Sequence, residues 1–361
     1  MIVRLFFSIL LCFSLLFSAK AQLTFDHNGT ERTYFMDAPD PIPPGAPLVF
    51  VLHGYGSSAG LIRAYSNWGD LAISEGFVAV FPQGTEDGGG TPHWNANLGI
   101  STTNDHGFLV ALAQHLQETN ELSPECTYSC GMSNGGYMSY SLACQHPEVF
   151  RAIGSVTGAM SAIDFGCVPS EVVPIVHLHG TSDNTVSYDN GVGFGNWGNT
   201  GVTDIIEHWT GLMGTTTLEE STLPNAELVD DTSVDLLRYA GAPDGQEFHH
   251  YRVNGGGHDW FGAWGSQDVN STQVMWDFFS AQCSGGFTDI EESPAPESWL
   301  IRQGKGFMVR RNAQVHIFDV SGRVVASKRM TSGELWSPAV EQIHIVQARD
   351  EGGEVQVLKG L

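Results

Sequence analysis

Short unbroken apolar runs alternate with stretches of helical spacing along most of the chain. "LTFDHNGTERTYFM" carries two alternating runs on either side of Asn28-Gly29 and predicts a β-hairpin. "LVFVL" and "FVAVFP" are apolar throughout and predict buried strands. Between them "SNWGDLAISEG" has helical spacing and stops at Gly76. The residues after Pro82, rich in Gly, Thr, Asn and Trp, read as a loop. Asn104 or Asp105 then stands where an N-cap is needed, ahead of the helical "HGFLVALAQHLQE". The alternation continues with a strand at "TYSCG", a helix through "GGYMSYSLACQHP" stopped by Pro147, and strands at "FRAIGSV" and "VVPIVHLHG". A helix through "GVTDIIEHWTGLMG" follows, then "VDLLRYA" and "QEFHHYRV" as paired strands near the sheet's far edge, then a closing helix, "TQVMWDFFSAQ". This order predicts the α/β class, with a mostly parallel sheet and helices on both faces.

The texture changes near Cys283. Residues 284–297 have the composition of a linker. Beyond them "QVHIFDVSGRVVASKRM" reads as strand, Ser-Gly turn and strand, and "VEQIHIVQARDEGGEVQVLKGL" has the same character, so residues 298–361 are expected to form a small all-β, sandwich-like module. At the other end, residues 1–21 read as a secretory signal: Arg4, a mostly apolar run over residues 5–17, then Ala19-Lys20-Ala21, which makes Gln22 the first mature residue. That run is too short to span a bilayer, and no later segment is apolar enough to do so. The large Leu11 before Cys12 fits a lipid anchor poorly.

Charge is unevenly placed. Residues 22–297 hold 34 Asp plus Glu against 5 Arg and no Lys, a net of −29, whereas residues 298–361 hold 9 basic and 6 acidic residues, a net of +3. The acidic body would repel a phosphate backbone, which excludes nucleic acid as the expected partner. It suits either a saline habitat or plain solubility. Five cysteines follow residue 21, namely Cys126, Cys130, Cys144, Cys167 and Cys283; export permits disulfides, and the odd number leaves a thiol over in a monomer. No CxxC or metal-ligand array is present, and no metal is expected.

The chemistry centres on Gly131-Met132-Ser133-Asn134-Gly135, a GxSxG pattern between an expected strand and an expected helix. A serine on such a turn projects above the sheet at the positive end of the helix, and the flanking glycines remove side chains that would collide with neighbouring elements. It can attack a carbonyl once a base takes its proton. The partners are expected in the order Ser, acid, His. Asp183 follows the strand ending near His179, and His258 lies in the glycine-rich loop after the strand ending near Val253, so both belong at carboxyl ends of strands. Asp164 and Asp189 are rivals for the acid. The backbone N–H of Asn134 and that of Tyr55, in "HGYGSS", are candidates for the oxyanion hole.

These pieces together resemble the secreted polyhydroxybutyrate depolymerase and feruloyl esterase-like family of α/β-hydrolases. The shared motifs are the HGxG loop (residues 53–56), Trp94-Asn95 ahead of residues 105–108, "GMSNGG", "HGTxD" and "GGGHxW", in that order over residues 22–283. The resemblance implies an α/β-hydrolase fold and hydrolysis of carboxylic esters without metal or organic cofactor. Ser133, Asp183 and His258 would form the triad, with oxyanion donors near Tyr55 and Asn134. Departures lie at Asp259 and Phe261, which flank the tryptophan after the histidine, and at "NDHGF", where two acidic residues are common; these bear on substrate choice. The C-terminal "FDVSGRVV" and final Lys-x-Leu resemble the sorting domain of the type IX secretion system of Bacteroidota, which implies the secretion machinery as a partner. A carbohydrate-binding or spacer module is the alternative.

Trp94, Trp260 and Trp264 fall in loops expected around Ser133, and Trp197 in the Gly-rich stretch 191–201; all four are candidates to grip a phenolic acid or a polymer repeat. His177 and His179, two apart on one strand, are expected to face the same way as packing or hydrogen-bonded residues. The expectation is therefore a secreted serine esterase acting on feruloyl or acetyl esters of plant polysaccharide. A short-chain polyester depolymerase and a non-catalytic polysaccharide-binding protein are the alternatives.

Overall fold

The computed structural model describes residues 22–189, 200–226 and 229–283, then 300–303, 306–318, 324–336, 345–350 and 355–359. The expected signal at 1–21 and linker at 284–297 lie outside the described residues. Contacts divide the chain into two compact units, Met1–Gly285 and Gly286–Leu361.

In the first unit β1 (Leu23–His27) and β2 (Thr30–Asp37) form the hairpin expected at Asn28-Gly29, with both turn residues at positive φ. β3 (Leu48–Leu52) leads through α1 (Ala59–Ser66) and α2 (Trp68–Glu75) to β4 (Val78–Pro82). The glycine-rich stretch after β4 is a loop that carries a two-stranded ribbon, β5 (Thr85–Glu86) with β6 (Pro92–His93). α3 (Asp105–Asn120) follows, capped by the Asn104 side chain, which accepts from the Gly107 N–H. Then come β7 (Thr127–Met132), α4 (Asn134–Gln145), β8 (Ala152–Val156), β9 (Ile175–Gly180) and α5 (Val202–Met213). β10 (Thr217–Thr222), β11 (Ser233–Ala240), β12 (Phe248–Asn254) and α6 (Ser271–Ala281) complete the unit.

The ten strands make one sheet in the order β1-β2-β4-β3-β7-β8-β9-β12-β11-β10. The run from β4 to β12 is parallel, and the outer strands on both sides are antiparallel. Every residue of β3, β4, β7, β8 and β9 is buried, as a parallel sheet covered on both faces requires. β12 lies inside the sheet against β9. The far edge is β10, not recognised from the sequence; it is exposed along its whole length and carries Glu219 and Glu220, a charged edge that resists pairing with another chain. α1 lies ahead of the helix expected from the sequence, and Ser58 caps it by accepting from the Leu61 N–H.

Two disulfides tie the unit together. Cys126–Cys283 joins the entry to β7 with the end of α6, and Cys144–Cys167 joins the end of α4 to the loop after β8. Cys130 is a buried thiol, and burial pushes its pKa up. No helix among the described residues is long and apolar enough to cross a membrane.

The second unit holds β13 (Leu300–Gln303), β14 (Gly306–Val309), β15 (Ala313–Phe318), β16 (Val324–Met330), β17 (Leu335–Trp336), β18 (Ile345–Asp350) and β19 (Val355–Lys359). They form two antiparallel sheets, β13-β14-β17 and β16-β15-β18-β19. Val309, Val315, Ile317, Met330 and Ala348 supply a small core.

Candidate active site

β3, β7, β9 and β12 run parallel, so the loops after them share one edge of the sheet. Ser133 follows β7, Asp183 follows β9, His258 follows β12, and the HGYG loop follows β3.

Ser133 has φ 52° and ψ −118°, a strained conformation that L-residues adopt only when the surroundings impose it. The neighbours do impose it. A Cβ on Gly131 would stand 2.6 Å from the Leu52 carbonyl oxygen, and one on Gly135 would also collide with that oxygen. The Ser133 N–H donates to the Val156 carbonyl at 2.9 Å, while its own carbonyl receives the Tyr137 N–H as the first bond of α4. Asn134, the first residue of α4, has by helix geometry no intrahelical carbonyl for its N–H.

His258 donates from Nδ1 to Asp183 Oδ2 at 2.7 Å. The other carboxylate oxygen accepts the N–H groups of Thr185 at 2.8 Å and Val186 at 2.9 Å, so Asp183 closes an Asx-type turn with one oxygen and orients the imidazole with the other. Burial raises the Asp183 pKa, but the hydrogen bond from His258 and the nearby imidazoles outweigh it, and the carboxyl sits below its ordinary range. The two loops are stitched together: Ser182 N–H donates to the Gly256 carbonyl, and Gly255 N–H to Thr181 Oγ1, both at 2.9 Å. The rivals stand elsewhere. Asp164 bonds Asn97 at 2.8 Å and Ser161 at 3.1 Å, and Asp189 is exposed.

The HGYG loop lies against the serine turn, since a Cβ on Gly54 would stand 3.5 Å from Ser133 Cβ. His53 accepts the Gly84 N–H on Nε2 at 3.0 Å and donates from Nδ1 to the Gly54 carbonyl at 2.8 Å. That carbonyl belongs to the same peptide unit as the Tyr55 N–H, so His53 sets its direction. Burial lowers the His53 pKa to about 4, which keeps the ring neutral and this donor–acceptor pattern fixed. The Tyr55 phenol donates to Asp87 Oδ2, at the β5–β6 turn, at 2.6 Å.

The tryptophans divide. Trp94 is fully buried, contrary to the expectation of a substrate contact. Its indole Nε1 donates to the His53 carbonyl at 3.0 Å, and its backbone N–H and C=O bond the Asn134 side-chain amide at 2.6 and 3.0 Å. Trp260 is 1% exposed and donates to Thr272 Oγ1 at 3.1 Å, so it too packs in the core instead of facing substrate. Trp264 is 36% exposed and stands edge-on to Tyr65, whose hydroxyl contacts Met132 Sδ at 3.6 Å, next to the serine. Trp197 and most of the stretch 191–201 lie outside the described residues. Among the described residues no group of three or more His, Cys, Asp or Glu could hold a metal ion.

Comparison with known proteins agrees with the fold. The sequence pattern of the prolyl oligopeptidase family matches residues 70–190. A bifunctional acetylxylan esterase/xylanase of Neocallimastix patriciarum is 29% identical over 167 residues, covering 46% of this chain and 23% of that protein. Feruloyl esterase B of Piromyces equi is 26% identical over 222 residues, covering 59% and 39%. The chain thus spans less than half the length of these relatives. The solved acetyl xylan esterase from Aspergillus awamori superposes with a TM-score of 0.51 at 15% identity, over 72% of this chain and 98% of that one. By its sheet and by these likenesses, the chain has the α/β-hydrolase fold and is similar in sequence to feruloyl and acetylxylan esterases.

Proposed function

We propose that the protein is an exported serine carboxylic-ester hydrolase that works through an acyl-enzyme, with feruloyl or acetyl esters of plant polysaccharide as its substrates. The observation that carries this reading is the 2.7 Å Asp183–His258 pair at the sheet edge that also bears Ser133 at φ 52°. Ser133 Oγ attacks the ester carbonyl as His258 Nε2 takes its proton. The oxyanion is met by the N–H groups of Tyr55 and Asn134, and the imidazolium, held by Asp183, returns the proton to the leaving alkoxide. Water, deprotonated by His258, then attacks the acyl-enzyme; as the Ser133 Oγ–acyl bond breaks, the imidazolium returns that proton to Oγ and the acid departs. Every proton is accounted for by these groups. Trp264 would contact the acyl or sugar part of the substrate. The two disulfides suit export, and residues 298–361 are read as the segment that meets the secretion machinery.

The test is one panel on the purified full chain: methyl ferulate, acetylated xylan, short-chain poly(3-hydroxybutyrate) and a peptide amide. Turnover of either of the first two above a buffer blank, retained in chelator, supports the reading. Preference for the polyester would move the substrate class while keeping the chemistry. Binding to xylan with no ester cleaved would overturn it.

A further inference from the structure

Behind Asp183 lies a line of buried polar side chains that the reaction above does not use. Tyr140 on α4 meets His177 Nδ1 through its hydroxyl at 2.6 Å; His177 Nε2 meets His179 Nδ1 at 3.0 Å; His179 Nε2 meets the Val186 carbonyl at 2.8 Å and lies 3.5 Å from Asp183 Oδ2. Tyr140, His177 and His179 are all fully buried.

The direction of every bond follows from one acceptor. A carbonyl cannot donate, so His179 carries its proton on Nε2 and leaves Nδ1 bare. His177 must then donate from Nε2, which leaves its Nδ1 to accept from the Tyr140 hydroxyl. Burial lowers the pKa of both imidazoles, in keeping with this neutral pattern. His250 braces the line from the side: its Nδ1–H donates to the His177 carbonyl at 3.1 Å, and its Nε2 accepts from Tyr188 at 2.7 Å. Each of these three rings has a partner on both nitrogens.

The line ends on the acid turn. Val186 donates its N–H to Asp183 Oδ1 and receives His179 Nε2–H on its carbonyl, so the turn that shapes the carboxylate is pinned to β9 by His179. It begins on α4, the helix that starts beside Ser133. A neutral His179 also leaves the negative charge of Asp183 to His258. A charged one would compete for it.

We propose that His179 is a positioning residue for Asp183, and that His177 and Tyr140 hold it in the one tautomer that can do this. The inference rests on the triad reading above. It is tested with a cycle of variants in the full chain, using kcat and KM on a soluble ester. His179→Leu keeps the volume and removes the donor; it should lower kcat by about 10- to 100-fold with KM within about 3-fold. His179→Gln, which carries an N–H at similar reach, should recover part of the loss. In an Asp183→Asn background His179→Leu should cost almost nothing more, because its effect passes through Asp183. A loss of equal factor in both backgrounds, or a His179→Gln no better than His179→Leu, overturns the proposal. If Asp183→Asn itself leaves turnover intact, it is the acid assignment that fails. Should His179→Leu not fold, Tyr140→Phe enters the same cycle: a several-fold fall in kcat confined to the wild-type background supports the relay, and wild-type turnover or an additive loss overturns it.

Discussion

The side-chain amide of Asn134 and the backbone of Trp94 grip each other in both directions, at 2.6 and 3.0 Å, forty residues apart in sequence. The Trp94 indole then reaches the His53 carbonyl at 3.0 Å, so one buried residue spans the two segments whose N–H groups are the candidate oxyanion donors. Trp94→Phe keeps most of the packing but leaves a buried carbonyl unpaired, at about 1–3 kcal/mol. The expected result is a fall in kcat of about 10-fold or more with KM little changed, since the oxyanion forms only in the transition state. Asn134→Ala removes both other bonds and should be worse. A rise in KM alone would mean that Trp94 serves substrate binding.

Ser133→Ala should leave only the buffer rate of ester cleavage, with an unchanged melting temperature. His258→Ala should lose about as much, because groups that act as a unit are not additive. Asp183→Asn places an amide where Oδ2 accepts the His258 proton at 2.7 Å, and a loss of roughly 10⁴-fold is expected from the wrong tautomer. Crippling by Asp189→Asn with Asp183→Asn active would assign the acid elsewhere.

Acid should unfold the first unit early. Burial lowers the pKa of His53 to about 4 and of His250 to about 3, and also lowers those of His177 and His179, from an ordinary 6.5. Between the folded and unfolded values the unfolded chain binds more protons. The contribution of each ring is therefore fully present above about pH 6.5 and lost as pH falls, at about 1.4 kcal/mol per unit. His53 and His250 together give roughly 3 kcal/mol per unit, a large part of a domain's stability, and His177 and His179 act in the same direction. The Asp183 carboxyl, depressed below 3.8, acts only at lower pH, so the histidines decide the outcome. Urea midpoints at pH 7.5, 6.0 and 5.0 should fall steeply, and His250→Asn should flatten the slope. A constant midpoint would contradict this account.

The strands and the candidate reacting groups were legible because each has a local signature. A wholly apolar run marks a strand covered on both faces, and glycines two residues either side of Ser133 mark a turn with no room for side chains. Asp183 and His258 were readable as residues just beyond strand ends. Tryptophans in a glycine-rich loop gave no such signal. Trp94 is buried against His53, remote in sequence, and Trp260 against Thr272 on the following helix, contacts between elements that periodicity does not register. The spacing of His177 and His179 showed that they share a face of β9, but their tautomers depend on Val186 and Tyr140, which lie on other elements. The all-exposed β10 has no apolar stripe to announce it.

The first unit should cleave ester without the tail. The first compact unit ends at Gly285, inside the linker read at 284–297; the charge reversal from −29 to +3 follows that linker, and every candidate reacting group precedes it. A chain of residues 22–285 keeps Cys283 and its bond to Cys126; it should fold and turn over a soluble ester at the full-length rate. Stopping at Gln282 instead removes a bridge that closes 157 residues of sequence, and stability should drop by about 2–5 kcal/mol. If residues 298–361 direct export, the intact mass of the protein secreted by its native host should correspond to a chain without them. If they bind polysaccharide, the mass should match residues 22–361, and their removal should slow attack on insoluble polymer while sparing the soluble ester. Loss of soluble-ester turnover in the chain ending at Gly285 would show that the tail belongs to the catalyst.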